Sequence, residues 1–112
     1  MLTIIKGAAK VPAAKLEDWG QVGEPVGSPV PQLKGIESRE KPDVGIWECS
    51  PGKFRRQVKG AEFMHFVAGR CRFVSDSGQT LEIEAGDAVY FPANTFGTWD
   101  VAETVRKTYA IW

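Results

Sequence analysis

From Val44 onward the chain repeats one pattern, in which short apolar or alternating runs are separated by turn-forming residues. Val44 to Cys49 is apolar and aromatic, and Ser50-Pro51-Gly52-Lys53 places proline and glycine where a β-turn favours them. Phe54 to Val58 is a second candidate strand, closed by Lys59-Gly60. Ala61 to Ala68 is the longest apolar run; Gly69-Arg70 predicts a hairpin turn into Cys71–Ser75, and Asp76-Ser77-Gly78 predicts another. Thr80 to Ala85 alternates, which predicts Leu81, Ile83 and Ala85 inward and Thr80, Glu82 and Glu84 outward. Gly86-Asp87 turns into Ala88–Phe91, and Phe96–Asp100 and Thr104–Trp112 complete the set. No amphipathic helix of useful length interrupts this spacing, so the pattern predicts an all-β sandwich or barrel.

Residues 1–43 read differently, as an irregular extension. Segment 7–35 is rich in glycine, proline and alanine, and Pro12, Pro25, Pro29 and Pro31 break any regular element. Leu16-Glu17-Asp18-Trp19 suits either one helical turn or an anchor, with Trp19 too large and apolar to leave in solvent. Gln32 to Glu40 is one possible strand, followed by a turn at Lys41-Pro42-Asp43. The expectation is one domain, with an extension over 1–43 packing on a barrel over 44–112.

The strand around Ala61–Ala68 is apolar on both faces, Glu62, Met64 and Phe66 on one and Phe63, His65 and Val67 on the other. Both faces are therefore expected to be covered, one by the core and one by a neighbouring sheet or a second subunit.

Composition narrows the function classes. The 112 residues suffice for one core, and 43% of them are hydrophobic, as in a globular chain. Fourteen basic residues balance fourteen acidic ones, which argues against nucleic-acid binding and gives little repulsion against self-association. The N-terminus, Met-Leu-Thr-Ile-Ile-Lys-Gly, lacks the form of a signal peptide, and no run approaches the length of a membrane span. A cytoplasmic protein with no membrane partner is expected. Cys49 and Cys71 show no C-x-x-C spacing and are expected as reduced, buried thiols, a disulfide between neighbouring strands remaining open.

Several separate features fall in one order: Gly45-Ile46-Trp47-Glu48-Cys49-Ser50-Pro51-Gly52-Lys53-Phe54, then Glu62 to Gly69, then Gly86-Asp87 to Pro92, then Trp99, then Arg106-Lys107-Thr108-Tyr109. Together they resemble the cupin superfamily, in particular small cupins of the ureidoglycine aminohydrolase and ethanolamine-utilisation type. The resemblance covers about residues 44 to 112. It implies a double-stranded β-helix, or jelly roll (the RmlC-like cupin barrel), often paired as a homodimer.

Most cupins hold a metal on three histidines and a glutamate, but this chain has a single histidine. Aligned on Glu62, the first two histidine positions fall on Arg56 and Val58, or on Arg55 and Gln57; Asn94 stands at the glycine of the second motif and Gly97 where its histidine would be. Only Glu62 remains, and one carboxylate does not make a first-row metal site. His65 lies at odd parity to Glu62 and so should face away from the barrel, as a packed or interface residue. No metal or other cofactor is expected.

Glu62 inside an apolar barrel must be paired, hydrogen-bonded or protonated. Arg56 is the nearest candidate cation. Glu62 serves either as a general acid/base or ligand grip, or as half of a structural ion pair. Trp47, Phe54, Phe91, Phe96 and Trp99 fall in the segments that line the barrel mouth in this family, Phe96 and Trp99 flanking the vacant position at Gly97. The expected ligand-binding set is Glu62, Arg56, Trp47, Met64, Phe91, Phe96 and Trp99, with Glu62 as the one catalytic candidate and Lys107 and Tyr109 as structural residues. The expected function is binding of a small polar metabolite without a metal. The alternatives are an enzyme of the ureidoglycine aminohydrolase class and a dimeric structural or regulatory cupin.

Overall fold

The computed structural model describes residues 2–21 and 23–112; Met1 and Val22 lie outside the described residues. A single 3-10 turn at Ala13–Lys15 precedes nine strands: β1 Glu17–Gln21, β2 Glu24–Val26, β3 Gln32–Glu37, β4 Asp43–Cys49, β5 Gly52–Val58, β6 Glu62–Ser75, β7 Thr80–Glu84, β8 Ala88–Phe91 and β9 Thr95–Ile111. All pairings are antiparallel.

Two long strands organise the rest. β9 pairs along one edge with β5 through Thr95–Val101 and with β4 through Val105–Ile111, while its other edge pairs with β6. The far edge of β6 pairs with β8 near Glu62–His65 and with β7 near Arg70–Val74. One half-sheet therefore reads β1-β3-β4-β9-β6-β8 and the other β2-β5-β9-β6-β7. The two face each other across the core: Trp99 of the second half stacks on Phe91 of the first, ring centroids 5.6 Å apart, and meets Trp47 at 5.9 Å and Phe66 at 6.4 Å. This is the jelly roll that the resemblance implies. A radius of gyration of 13.3 Å equals that of one compact body of this length.

The runs expected as separate strands on either side of Gly69-Arg70 are one strand. β6 passes through with register shifts between Phe66 and Cys71, and Gly69 sits at φ 76°. A β-carbon there would lie 2.0 Å from the carbonyl oxygen of Thr104, so glycine lets the bulge bend the strand against β9 instead of reversing it. The two expected C-terminal strands are likewise one strand, β9. Alternation in β7 holds for Leu81 and Ile83, but Ala85 is exposed because it has passed the strand end into the turn.

Residues 1–43 contribute three strands instead of one. β3 adds to β4, β1 adds to β3, and β2 adds to β5. Trp19 on β1 packs against the core cluster and lies over Gly35, where no side chain obstructs it. The 3-10 turn precedes Leu16 and does not include Trp19.

In β6 the even residues Glu62, Met64 and Phe66 are buried, and the odd residues Phe63 and His65 are exposed. His65 accordingly faces away from the barrel. The outward face is not covered within the chain: Phe63 is 45% exposed, as is its cross-strand neighbour Tyr90 at 59%. Among the described residues no helix is long and apolar enough to cross a membrane.

Candidate functional site

The barrel interior is mostly hydrocarbon and aromatic, and it contains one ion pair. Glu62 enters from β6 and Lys107 from β9, both inward by strand parity, and they are 6% and 4% exposed. The Lys107 ammonium donates to Glu62 Oε2 at 2.8 Å and to Met64 Sδ at 3.4 Å. It also lies 4.5 Å from the Trp47 ring centroid and 5.6 Å from that of Trp99. Carboxylate and π-faces both favour the ammonium. Burial acts the other way and dominates, drawing the Lys107 pKa below the ordinary lysine value; the charge of Glu62 opposes that shift and the charge of Arg56 adds to it.

The pair lines a cavity of about 480 Å³. Trp19, Trp47 and Trp99 supply aromatic wall, Tyr109 supplies a phenol, and Glu37, Asp43, Arg56 and Lys59 bring further charges to it. Burial and the carboxylates of Asp43 and Glu37 push the Tyr109 hydroxyl above its usual range, so it remains protonated. Arg56 faces the cavity from β5 by the parity that buries Phe54 and Val58, but remains open to solvent. Among the described residues no carboxylate lies within ion-pair distance of it. Two further depressions, of about 430 and 410 Å³, lie against β6–β7 and β7–β8 and involve neither buried charge.

The expected ligand set is therefore brought together in part. Glu62, Arg56, Trp47 and Trp99 line one cavity, and Met64 lies beneath it in contact with Lys107. Phe91 is 2% exposed and is packed between Phe73 and Trp99, so it is core rather than wall. Phe96 is a correction: it is 47% exposed, because even residues in the first half of β9 point outward while Gly97 and Trp99 point in. The expected partner of Glu62 is corrected as well. Its hydrogen-bonded cation is Lys107, not Arg56, and Lys107 is the site residue that sequence reasoning missed.

The chemistry of the donor set does not fit a cupin metal. Glu62 Oε2 accepts from an ammonium at 2.8 Å, so the cation beside this carboxylate is supplied by the chain. At Gly97, opposite Arg56 in the β5–β9 ladder, a β-carbon would fall 2.3 Å from the Phe73 ring and 2.5 Å from the Val74 carbonyl oxygen. An imidazole has no room there. Among the described residues, no group of three or more His, Cys, Asp or Glu side chains stands together.

Cys49 and Cys71 are both buried and free. Burial, and for Cys49 the neighbouring Cys71, pushes each thiol up to about 12. They are packed thiols rather than nucleophiles.

Comparison with known proteins agrees with this architecture. The EutQ protein of Clostridium difficile superposes with a TM-score of 0.66 at 14% identity, over 80% of this chain and 75% of that one. A DUF861-family protein of unknown function from Pseudomonas syringae gives 0.75 at 24% identity, over 87% of this chain and 44% of that one. A DUF861-family protein from Thermotoga maritima gives 0.58 at 26% identity, over 71% and 99%. No curated protein is detectably similar in sequence. Residues 37–109 match the EutQ-like cupin domain, and the chain belongs to that cupin family.

Proposed function

We propose that this cupin binds a small polar metabolite carrying an anionic group, in the Glu62–Lys107 cavity and without a metal. The observation that carries this reading is the pairing pattern of the charges. Lys107 is taken up by Glu62, whereas Arg56 lines the same cavity with no carboxylate of the described residues in ion-pair reach. A guanidinium at an aromatic-walled mouth presents a planar fork of donors to a carboxylate or phosphate. The cavity of about 480 Å³ is within the range that holds small metabolites.

A thermal-shift screen of small carboxylates and phosphates tests it. Compounds that raise the melting temperature of the wild type should bind Arg56→Gln at least about tenfold more weakly, the worth of one charge-assisted hydrogen bond. A screen in which no anionic metabolite shifts the wild type overturns the reading. Stoichiometric Mn, Zn, Ni or Fe in the purified protein would instead favour a metal-dependent hydrolase of the ureidoglycine aminohydrolase class.

A second reading concerns assembly. The exposed Phe63–Tyr90 pair on the outward face of β6 and β8 supports association with a second copy. Sedimentation as a monomer at micromolar concentration overturns it.

A further inference from the structure

We propose that Lys107 is a carbonyl-reactive amine, and that the cavity takes a 2-oxo acid as an imine on its Nζ, with Glu62 moving the protons and Arg56 holding the carboxylate. This deepens the reading above and rests on it, since it names the ligand class of the same cavity.

Four observations meet at this atom. Lys107 is the one lysine among the buried charged residues, and it lines the cavity. Its Nζ lies 2.8 Å from a carboxylate that is itself 6% exposed, close enough for direct proton transfer. The walls beside it are the rings of Trp47 and Trp99, 4.5 and 5.6 Å from the ammonium. Arg56, without an ion-pair partner among the described residues, lines the same cavity as Lys107 and Glu62. Lysine, carboxylate and arginine are thus complementary to a carbonyl, a proton in transit and an acid group.

The chemistry balances without a co-reactant. Glu62 takes one proton from the Lys107 ammonium, which turns two buried charges into a neutral acid and a neutral amine. Burial favours that exchange, as the lowered lysine pKa indicates. The amine lone pair attacks the carbonyl carbon, the carbonyl π pair moves to oxygen, and a nitrogen proton passes to that oxygen, giving a carbinolamine. Glu62 then returns its proton to the hydroxyl, the C–O bond breaks, and water leaves. The product is a protonated imine beside the restored carboxylate. The three protons that began on nitrogen end as one on nitrogen and two in water.

The test uses the intact protein with pyruvate, and separately with acetone, each in the presence of cyanoborohydride, followed by peptide mapping by mass spectrometry. The expected result is a reduced pyruvate adduct on Lys107 that forms at least about tenfold faster than on Lys59 or the surface lysines, in line with the low end of general acid–base assistance. Acetone, lacking the carboxylate, should label Lys107 poorly. Arg56→Gln should narrow the difference between pyruvate and acetone, and Glu62→Gln should slow labelling in variants confirmed as folded by circular dichroism. Labelling spread over surface lysines with Lys107 unmodified overturns the proposal, and this wild-type readout requires no variant to fold. If pyruvate or another carboxylate raises the melting temperature while Lys107 stays unmodified, the imine falls and metabolite binding stands. If Lys107 stays unmodified and no carboxylate or phosphate raises the melting temperature, both fall.

Discussion

The ion pair inside the barrel and the one on its outer wall start from adjacent residues of β9, Lys107 and Arg106, which point to opposite faces. Outside, Arg106 and Glu48 stand directly opposite each other in the β4–β9 ladder. Nε of Arg106 donates to Glu48 Oε2 at 2.8 Å, Nη2 lies 2.7 Å from the same oxygen, and Nη1 donates to the Ala8 carbonyl at 3.3 Å. One guanidinium thus ties two strands and the N-terminal segment together, away from the cavity. Inside, Lys107 is level with Phe66, four positions along β6 from Glu62, and its long side chain runs past Met64 to reach the carboxylate. The first pair joins neighbours that the sheet has already aligned. The second joins residues that would not otherwise meet, at the wall of a cavity where a ligand can compete for either partner. Burial alone does not separate a structural ion pair from a site; what lies next to it does.

The largest expected effect comes from breaking the inner pair. Lys107→Met should cost about 3–5 kcal/mol, because it leaves the Glu62 carboxylate buried without a cation. The double variant Lys107→Met/Glu62→Leu should recover most of that loss, since an apolar pair of similar volume removes both desolvation costs. Urea unfolding of the single and double variants measures this, and a double variant no more stable than the single one would show that the two residues are not coupled. Arg106→Met on the outer wall should cost less, about 1–3 kcal/mol. Glu48 is 16% exposed in its side chain and can turn to water. The loss should be accompanied by faster hydrogen exchange near Ala8, an effect that the inner variants should lack.

The smallest effect appears only in alkali. The Cys49 and Cys71 thiols ionise near 9 when exposed and near 12 when folded. Below pH 9 both states hold these protons and stability is unaffected. Between about 9 and 12 the unfolded chain loses protons that the folded chain keeps, so stability falls as pH rises. Tyr109, also raised by burial, adds to the fall; Lys107, with its lowered value, opposes it. Melting temperatures of the wild type and of Cys49→Ala/Cys71→Ala across this range should diverge, with the variant declining less steeply.

How much of this was legible in the sequence follows from the same contrast. Strand alternation placed Glu62 inside and His65 outside, because a two-residue period needs no tertiary information. It could equally have placed Lys107 inside, since Val105, Lys107 and Tyr109 share parity. What local pattern does not contain is the register of β9 on β6 and the reach of a lysine along the barrel, and so the partner of Glu62 stayed hidden. Arg56 was adjacent in sequence terms but faces the mouth. Phe96 neighbours Gly97 in sequence, yet neighbours on a strand point opposite ways, and so it lies outside the cavity wall. The strands within residues 1–43 were hidden for another reason: β1 and β2 are short edge strands, formed by docking on β3 and β5 rather than by their own hydrophobic pattern.

The placement of Arg106 and Lys107 side by side has a consequence for how the barrel assembles. β9 must find β4, β5 and β6, and an error of one residue would turn the guanidinium into the aromatic interior and the ammonium out of it. An error of two on β4 would restore the faces but carry Arg106 about 7 Å along the ladder from its place opposite Glu48. Each misaligned pairing therefore strands at least one buried charge. The two adjacent cations act as a two-sided key that only one alignment of the longest strand satisfies, so they guard the chain against near-native misfolds as well as holding the finished structure together.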